Sequence, residues 1–241
     1  MLDIVHDYWL LLLVGSYPAG PLGGVAATLL LSVIGIGCAF PLSVLLALAQ
    51  LSHVAAIRTP ALVIRYLVRS VPLVMLIFGA YFIVPAVIGR PVTGFATMAV
   101  TLVVFQAVYL AEIVRAGIEA VPRGQSQAAA ALGMGYWLRM RKIVLPQALY
   151  NMLPSMVGQF VTTIKDTSLG YVIGVQELTY AANQVNNAVL TQPFQVFFVL
   201  SLVYFIVCFS LTQAARQLET RLQKKRARPA DGASLTVKAA T

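Results

Sequence analysis

The sequence predicts an all-α integral membrane protein of about five transmembrane helices. The N-terminus lies outside, the C-terminus lies in the cytoplasm, and one cytoplasmic loop carries a short helix. Three observations predict this: the composition, the length of the charge-free runs and the one-sided placement of the basic residues. Of 241 residues, 59% are hydrophobic and only 10% are charged, against about 25% charged in an ordinary soluble domain. A chain of this size has too little interior to bury so much apolar side chain in water.

A helix needs roughly 20 apolar residues to cross the hydrocarbon core. The first predicted span covers 24–51, inside a run from Tyr8 to Ile57 with no Asp, Glu, Lys or Arg. The second covers 70–89, and the third covers 91–111 and continues to about 118. The fourth covers 143–164, with Gln147, Asn151 and Gln159 embedded in it. The fifth covers 194–214; the stretch before it holds Asn183, Gln184, Asn186 and Asn187 and reads as a solvated outer loop. Tyr8 to Val14 is too short to span and reads as an outer interfacial segment. No Lys or Arg precedes Arg58, so a cleaved signal peptide, which needs a positive first region, is not expected. The segmentation that follows is an extracytoplasmic or interfacial 1–23, a single membrane domain 24–215, and a basic cytoplasmic tail 216–241. A loop at about 119–142 interrupts the membrane domain.

Cytoplasmic loops carry the excess of Lys and Arg. All but two of the seventeen basic residues fall on one side of these five spans. That side holds Arg58, Arg65 and Arg69, then Arg115, Arg123, Arg139, Arg141 and Lys142, then 216–238. Arg90 and Lys165 alone fall on the other. The basic side is therefore cytoplasmic. The run Lys224-Lys225-Arg226-Ala227-Arg228 reads as a topology anchor beside anionic headgroups, and nucleic acid is not an expected partner despite the net charge of +9.

The loop between spans three and four is bracketed by Pro122 and Pro146. The alanine run from Ala128 to Ala131 favours a helix, and Gly133 stops it. A helix from Gln125 to Leu132 has about two turns and is marginal alone. Docking against another protein would stabilise it: small Ala side chains permit close approach, and Leu132 and Met134 offer apolar contact.

Its motif resembles a known family. Gln127-Ala128-Ala129, three residues, Gly133, nine residues and Ile143-Val144-Leu145-Pro146 reproduce the spacing of the cytoplasmic Glu-Ala-Ala signature of type I ABC importer permeases. Gln127 stands where that family usually has Glu. Tyr109 to Ile118, Arg123-Gly124-Gln125 and Lys165-Asp166-Thr167-Ser168-Leu169 resemble the polar amino acid branch. Arg69-Ser70-Val71-Pro72-Leu73-Val74-Met75 is similar to the glutamate/aspartate type, and Thr28-Leu29 and Ser32 fit as well. The resemblance covers roughly residues 22–222.

The resemblance implies a multi-pass subunit of the bacterial cytoplasmic membrane that forms the pathway for a polar amino acid, with acidic ones leading. It implies a second permease subunit, identical or related, two ATPase subunits and an extracytoplasmic amino-acid-binding protein. Gly124, Gln125, Gln127, Ala128, Ala129, Leu132 and Gly133 are the expected ATPase-docking residues on a coupling helix. The residues agree independently on one point. No Gly-Lys dipeptide occurs, so no phosphate-binding loop is present, and ATP chemistry belongs to another chain.

No enzyme is expected. His6 and His53 are the only histidines, and neither His-Glu-x-x-His nor Gly-x-Ser-x-Gly occurs. Cys38 and Cys208 lie in apolar runs without metal spacing, so no cofactor and no metal are expected. A channel or ion-driven transporter would explain the spans but not the loop.

Glu112, Arg115 and Glu119, at i, i+3 and i+7, share a helix face. They read either as an interfacial ion-pair ladder or as an inner gate contact. Lys165, Asp166, Thr167 and Ser168 read either as lining the pathway or as a helix end with Asp166 or Ser168 capping the next segment. Arg58 and Arg65 read as topology charges, and Pro72, Pro85 and Pro154 as helix kinks or ends.

Overall fold

The computed structural model describes residues 2–227; of the basic tail expected over 216–241, the part up to Ala227 continues α10 and the part from Arg228 on lies outside the described residues. Ten α-helices follow in order: α1 Leu2–Val14, α2 Gly24–Gln50, α3 Ala55–Ser70, α4 Leu73–Ile88, α5 Gly94–Glu119, α6 Arg123–Ala131, α7 Tyr136–Arg139, α8 Leu145–Asp166, α9 Leu178–Val189 and α10 Pro193–Ala227. A π-helical turn, Met140–Val144, joins α7 to α8, and a 3-10 segment, Thr167–Ile173, follows α8.

The centre of the fold is α2 packed along α5. In lipid no hydrophobic drive separates helices from tails, so close helix contact relies on small side chains. The buried stripe of α2 supplies them: Gly24, Ala27 and Thr28, Ser32, Gly35, Ala39, Ser43 and Ala47, at helical spacing. A methyl group placed at Gly35 would sit 3.5 Å from Leu102 and 3.6 Å from Thr163. On the other side of α5, Gly117 lets α8 approach; a Cβ there would lie 3.1 Å from the Ala148 carbonyl and 3.2 Å from Met152. One apolar cluster, around Val114, Met140, Val144, Ala148 and Met152, knits the C-terminal end of α5 to the N-terminal end of α8. A second, around Leu178, Ala181, Val185, Val196 and Val199, joins α1, α9 and α10.

Among the described residues, three helices are long and apolar enough to cross a membrane: Gly24–Gln50, Gly94–Glu119 and Pro193–Gln217. The pair α3 and α4 would add a fourth, but it is bent by 102°. The expected second span, 70–89, thus resolves into a shorter helix, α4, of 16 residues, or about 24 Å. The Val71-Pro72 junction breaks it from α3, because proline disfavours a helical residue before it. The expected fourth span is a helix, α8, of sufficient length at 22 residues. Gln147, Asn151, Gln159, Lys165 and Asp166 keep it from being apolar enough to count by composition.

The stretch around Asn183 is not a loop but the helix α9. Leu178, Ala181, Ala182 and Val185 are buried, at the i, i+3, i+4, i+7 spacing of an amphipathic helix. The amides fall on its other faces.

Candidate functional site

The loop between α5 and α8 folds as its residues require. Pro122 precedes the first turn of α6, and the helix runs Arg123–Ala131, two residues earlier at its start than expected and one shorter at its end. Gly133 takes φ +78°. Its N–H donates to the Ala130 carbonyl at 2.9 Å, and the Met134 N–H donates to the Ala129 carbonyl at 3.1 Å. These two bonds are the helix-ending pair that needs a left-handed residue, which glycine adopts without a Cβ clash. A side chain at Gly133 would meet nothing within 4 Å in this chain.

Gly124, Gln125, Gln127, Ala128, Leu132 and Gly133 are exposed. Leu132, at 83% exposure, is an apolar side chain with no cover from its own chain. Ala129 departs from the expectation. It is buried at 3% exposure and anchors α6 to the chain, so it presents no docking surface. Arg139 adds a second tie, donating from Nη1 to the Ser126 carbonyl at 3.2 Å.

Glu112 is the hub of an ionic cluster that joins α3 to α5. Arg115 Nη2 donates to its Oε2 at 3.1 Å, and Arg65 Nη1 donates to its Oε1 at 3.2 Å. Arg69 Nη1 lies 3.6 Å from Oε2. Arg115 also reaches Glu119, with Nη1 to Oε2 at 2.9 Å. The expected ladder is therefore present on α5. Arg65, expected only as a topology charge, is paired instead, with its side chain just 16% exposed. Nothing local in the sequence announced that pairing, because Arg65 and Glu112 are 47 residues apart. Arg69 also lies over the Tyr109 ring at 5.3 Å, a cation–π distance.

Lys165, Asp166, Thr167 and Ser168 do not share one surface. They occupy successive directions around the end of α8. Lys165 is exposed and lines a cavity of about 380 Å³ with Pro154, Gly158, Thr162, Thr212 and Arg216, between α8 and α10. Asp166 turns toward α5, where Gln106 Nε2 donates to its Oδ2 at 3.0 Å. Gln159 Nε2 in turn donates to Gln106 Oε1 at 2.6 Å. Thr167 is fully buried and donates to the Ile164 carbonyl at 2.7 Å. Ser168 donates to the Lys165 carbonyl at 2.7 Å. Neither Asp166 nor Ser168 caps the following segment; the helical backbone simply continues through them into the 3-10 turns.

Gln106, fully buried in the structure, was missed in the sequence, although a lone amide in the charge-free run 91–111 is its own signal. Glu177 was missed as well. It is fully buried and caps α9, accepting from the Thr179 N–H at 2.9 Å, the Tyr180 N–H at 3.0 Å and the Tyr204 hydroxyl at 3.0 Å. Burial away from water pushes its carboxyl up to about 7, against the pull of those donors. The Leu178 N–H donates to Thr28 Oγ1 at 3.2 Å, so α2, α9 and α10 meet at this point. Among the described residues no group of His, Cys, Asp and Glu is placed to hold a metal.

Residues 39–224 match the family described as binding-protein-dependent transport system inner membrane component. The chain is 34% identical over 208 residues to the inner membrane amino-acid ABC transporter permease protein YhdY of Escherichia coli (strain K12); the match covers 85% of this chain and 57% of that one. It is 33% identical to the glutamate/aspartate import permease protein GltK of Escherichia coli O6:H1, over 83% of this chain and 92% of the relative. The fold superposes on the crystal structure of an amino acid ABC transporter with histidines at a TM-score of 0.76 and 28% identity, covering 82% of this chain and 92% of that one. The chain belongs to the binding-protein-dependent transport system inner membrane component family.

Proposed function

We propose that this chain is the membrane-spanning subunit of an ATP-driven importer, forming the pathway for a polar amino acid, with acidic amino acids the leading substrates. ATP is hydrolysed by separate ATPase subunits, and a second permease subunit completes the pathway. An extracytoplasmic binding protein delivers the substrate, and the assembly sits in the bacterial cytoplasmic membrane. Five spans, α2, α4, α5, α8 and α10, place the N-terminus outside and the C-terminus inside. The split of basic residues supports that orientation. The relation to a glutamate/aspartate import permease supports the substrate class.

The observation that carries the reading is α6, a nine-residue helix held at both ends and exposed on its Gln125–Gln127–Ala128–Leu132 face. Alternating access requires ATPase closure to move membrane helices. This loop is continuous with α5 through Pro122 and with α8 through the π turn, so force applied to α6 reaches both. The cluster around Glu112, two turns before the end of α5, fits an inner gate contact that travels with it. Lys165 in its cavity and Asp166 against Gln106 fit polar groups beside the pathway; Thr167 and Ser168 support the backbone there.

Gly133→Leu tests the docking assignment. The chain itself has room for the side chain, and the positive φ costs about 1–2 kcal/mol. A close contact with a partner would add about 1–3 kcal/mol of overpacking, roughly tenfold to a hundredfold in association. The variant should insert normally, lose ATPase from the membrane and lose uptake, whereas Gln127→Glu should transport as before. Native uptake with full ATPase retention in Gly133→Leu would refute the docking role. Competition of uptake only by apolar amino acids or sugars would refute the substrate class.

A further inference from the structure

An apolar groove of about 430 Å³ lies where α2 ends, away from the ionic cluster and the α8–α10 cavity. Leu48 of α2, Leu51, His53, Ile57 of α3 and Tyr136 and Trp137 of α7 line it. Its size falls within the roughly 300–1,000 Å³ of small-molecule sites. Trp137 is 71% exposed and meets Tyr136 edge-on at 5.5 Å. A bare tryptophan beside leucines is unfavourable in water, but it is the ordinary arrangement at the headgroup level of a bilayer, where aromatic rings collect. The groove is at that level because α2 is a membrane-crossing helix and its last turns, from Leu45 to Ala49, line it.

The charge beside it has one sign. Arg141 lies one turn beyond Trp137 on the continuing helix and Lys142 follows. Both are exposed, and neither has an acidic partner among the described residues. An apolar slot at a span's end, with exposed cations in the helical turn that follows its Trp137, matches an acyl chain with an anionic headgroup. It matches a protein surface less well, since a docking face lined this way would leave those cations uncompensated.

We infer that this groove seats an anionic phospholipid, its acyl chain between α2 and α7 and its headgroup on Arg141 and Lys142. The proposed orientation assigns the cytoplasmic leaflet, but the binding itself does not depend on it.

Tryptophan quenching tests the site, because the chain has two tryptophans, Trp9 and Trp137. The full chain carrying Trp9→Phe is reconstituted in phosphatidylcholine vesicles containing either brominated phosphatidylglycerol or brominated phosphatidylcholine at equal mole fraction. Trp137 should be quenched at least twofold more by the anionic lipid. Trp9, read in Trp137→Phe, should be quenched equally by both. Arg141→Gln with Lys142→Gln should abolish the preference. Ala49→Phe, which fills the groove and leaves the cations, should abolish it too. A preference that survives Ala49→Phe is only surface charge and overturns the site, as does equal quenching of Trp137 by the two lipids. Loss of quenching at saturating ATPase subunit would assign the groove to that protein and overturn the lipid assignment. None of these readings uses transport, so they separate from any failure of the importer function.

Discussion

Glu112 and Glu177 are both acidic residues held largely away from water, and the chain satisfies them by opposite means. Glu112 is surrounded by three guanidinium groups from two helices. Glu177 has no cation in contact among the described residues and is held by two backbone N–H groups and one hydroxyl. Charge-assisted pairs are strong but need a counter-charge to remain in place. Helix N-terminal dipoles are weaker and cannot leave, because they belong to the backbone. The first arrangement ties two helices, α3 and α5, through side chains alone. The second suits a fixed joint, where α9 meets α2 and α10.

The largest effect should come from removing the hub. Glu112→Ala leaves Arg65, Arg69 and Arg115 facing one another with no carboxylate between them except Glu119 at one edge. Breaking a buried pair by deleting one partner costs about 3–5 kcal/mol. The 21% exposure of the Glu112 side chain lowers this to about 2–3 kcal/mol. Transport should fall far more than in Glu119→Ala, whose carboxylate is 51% exposed. Equal uptake by the two variants, measured at equal membrane abundance, would show that the cluster is only a surface ladder.

At the other carboxylate the effect should be smaller and dependent on pH. The folded state raises the Glu177 carboxyl from its ordinary 4.5 to about 7, so folding favours the protonated form. Its contribution is fully present below about 4.5 and is lost as pH rises through 7. Each unit of separation is worth about 1.4 kcal/mol. Glu177→Gln mimics the neutral form and should flatten the fall in unfolding temperature between pH 5 and 8. A variant whose pH profile overlays that of the native chain would show that the carboxyl ionises freely in the fold.

The contrast between the two carboxylates also marks what the sequence could reveal. Glu112, Arg115 and Glu119 were legible because their pairing is local, set by helical spacing alone. The helix in the loop from Pro122 to Pro146 was legible for the same reason: alanines, a glycine stop and a proline mark its bounds locally, although its ties through Ala129 and Arg139 are tertiary. Arg65 was not, since its partner lies on another helix and only the bend between α3 and α4 brings them together. Glu177 was hidden differently. Glutamate is not among the favoured N-cap residues, so nothing in Gln176-Glu177-Leu178 marks a helix start. α9 was legible in principle, but four amides drew attention from its apolar spacing. α8 shows the limit of hydropathy: a helix that buries polar groups against α5 loses the very composition by which a span is recognised.

The finest test separates two arginines on the same helix. Arg65 and Arg69 both approach Glu112 from α3, and a simple count would treat them alike. Arg65 makes a 3.2 Å hydrogen bond with its side chain 16% exposed. Arg69 stands at 3.6 Å and 44% exposed, and leans over Tyr109 instead. Exposed pairs are worth about 0–1 kcal/mol and weaken with salt. Arg69→Gln should therefore change stability by less than about 1 kcal/mol, with a difference that disappears at high salt. Arg65→Gln should cost more and keep most of its cost in salt, because its partner is shielded from ions. Arg65→Lys should restore only part of it, since an ammonium cannot hold the guanidinium's position against both Glu112 and the Tyr66 ring, 4.5 Å from Arg65. Thermal unfolding of the three variants at low and high salt measures this order. If Arg69→Gln proves as costly and as salt-resistant as Arg65→Gln, then α3 is held by charge density alone, and the single hydrogen bond between Arg65 and Glu112 is not what joins it to α5.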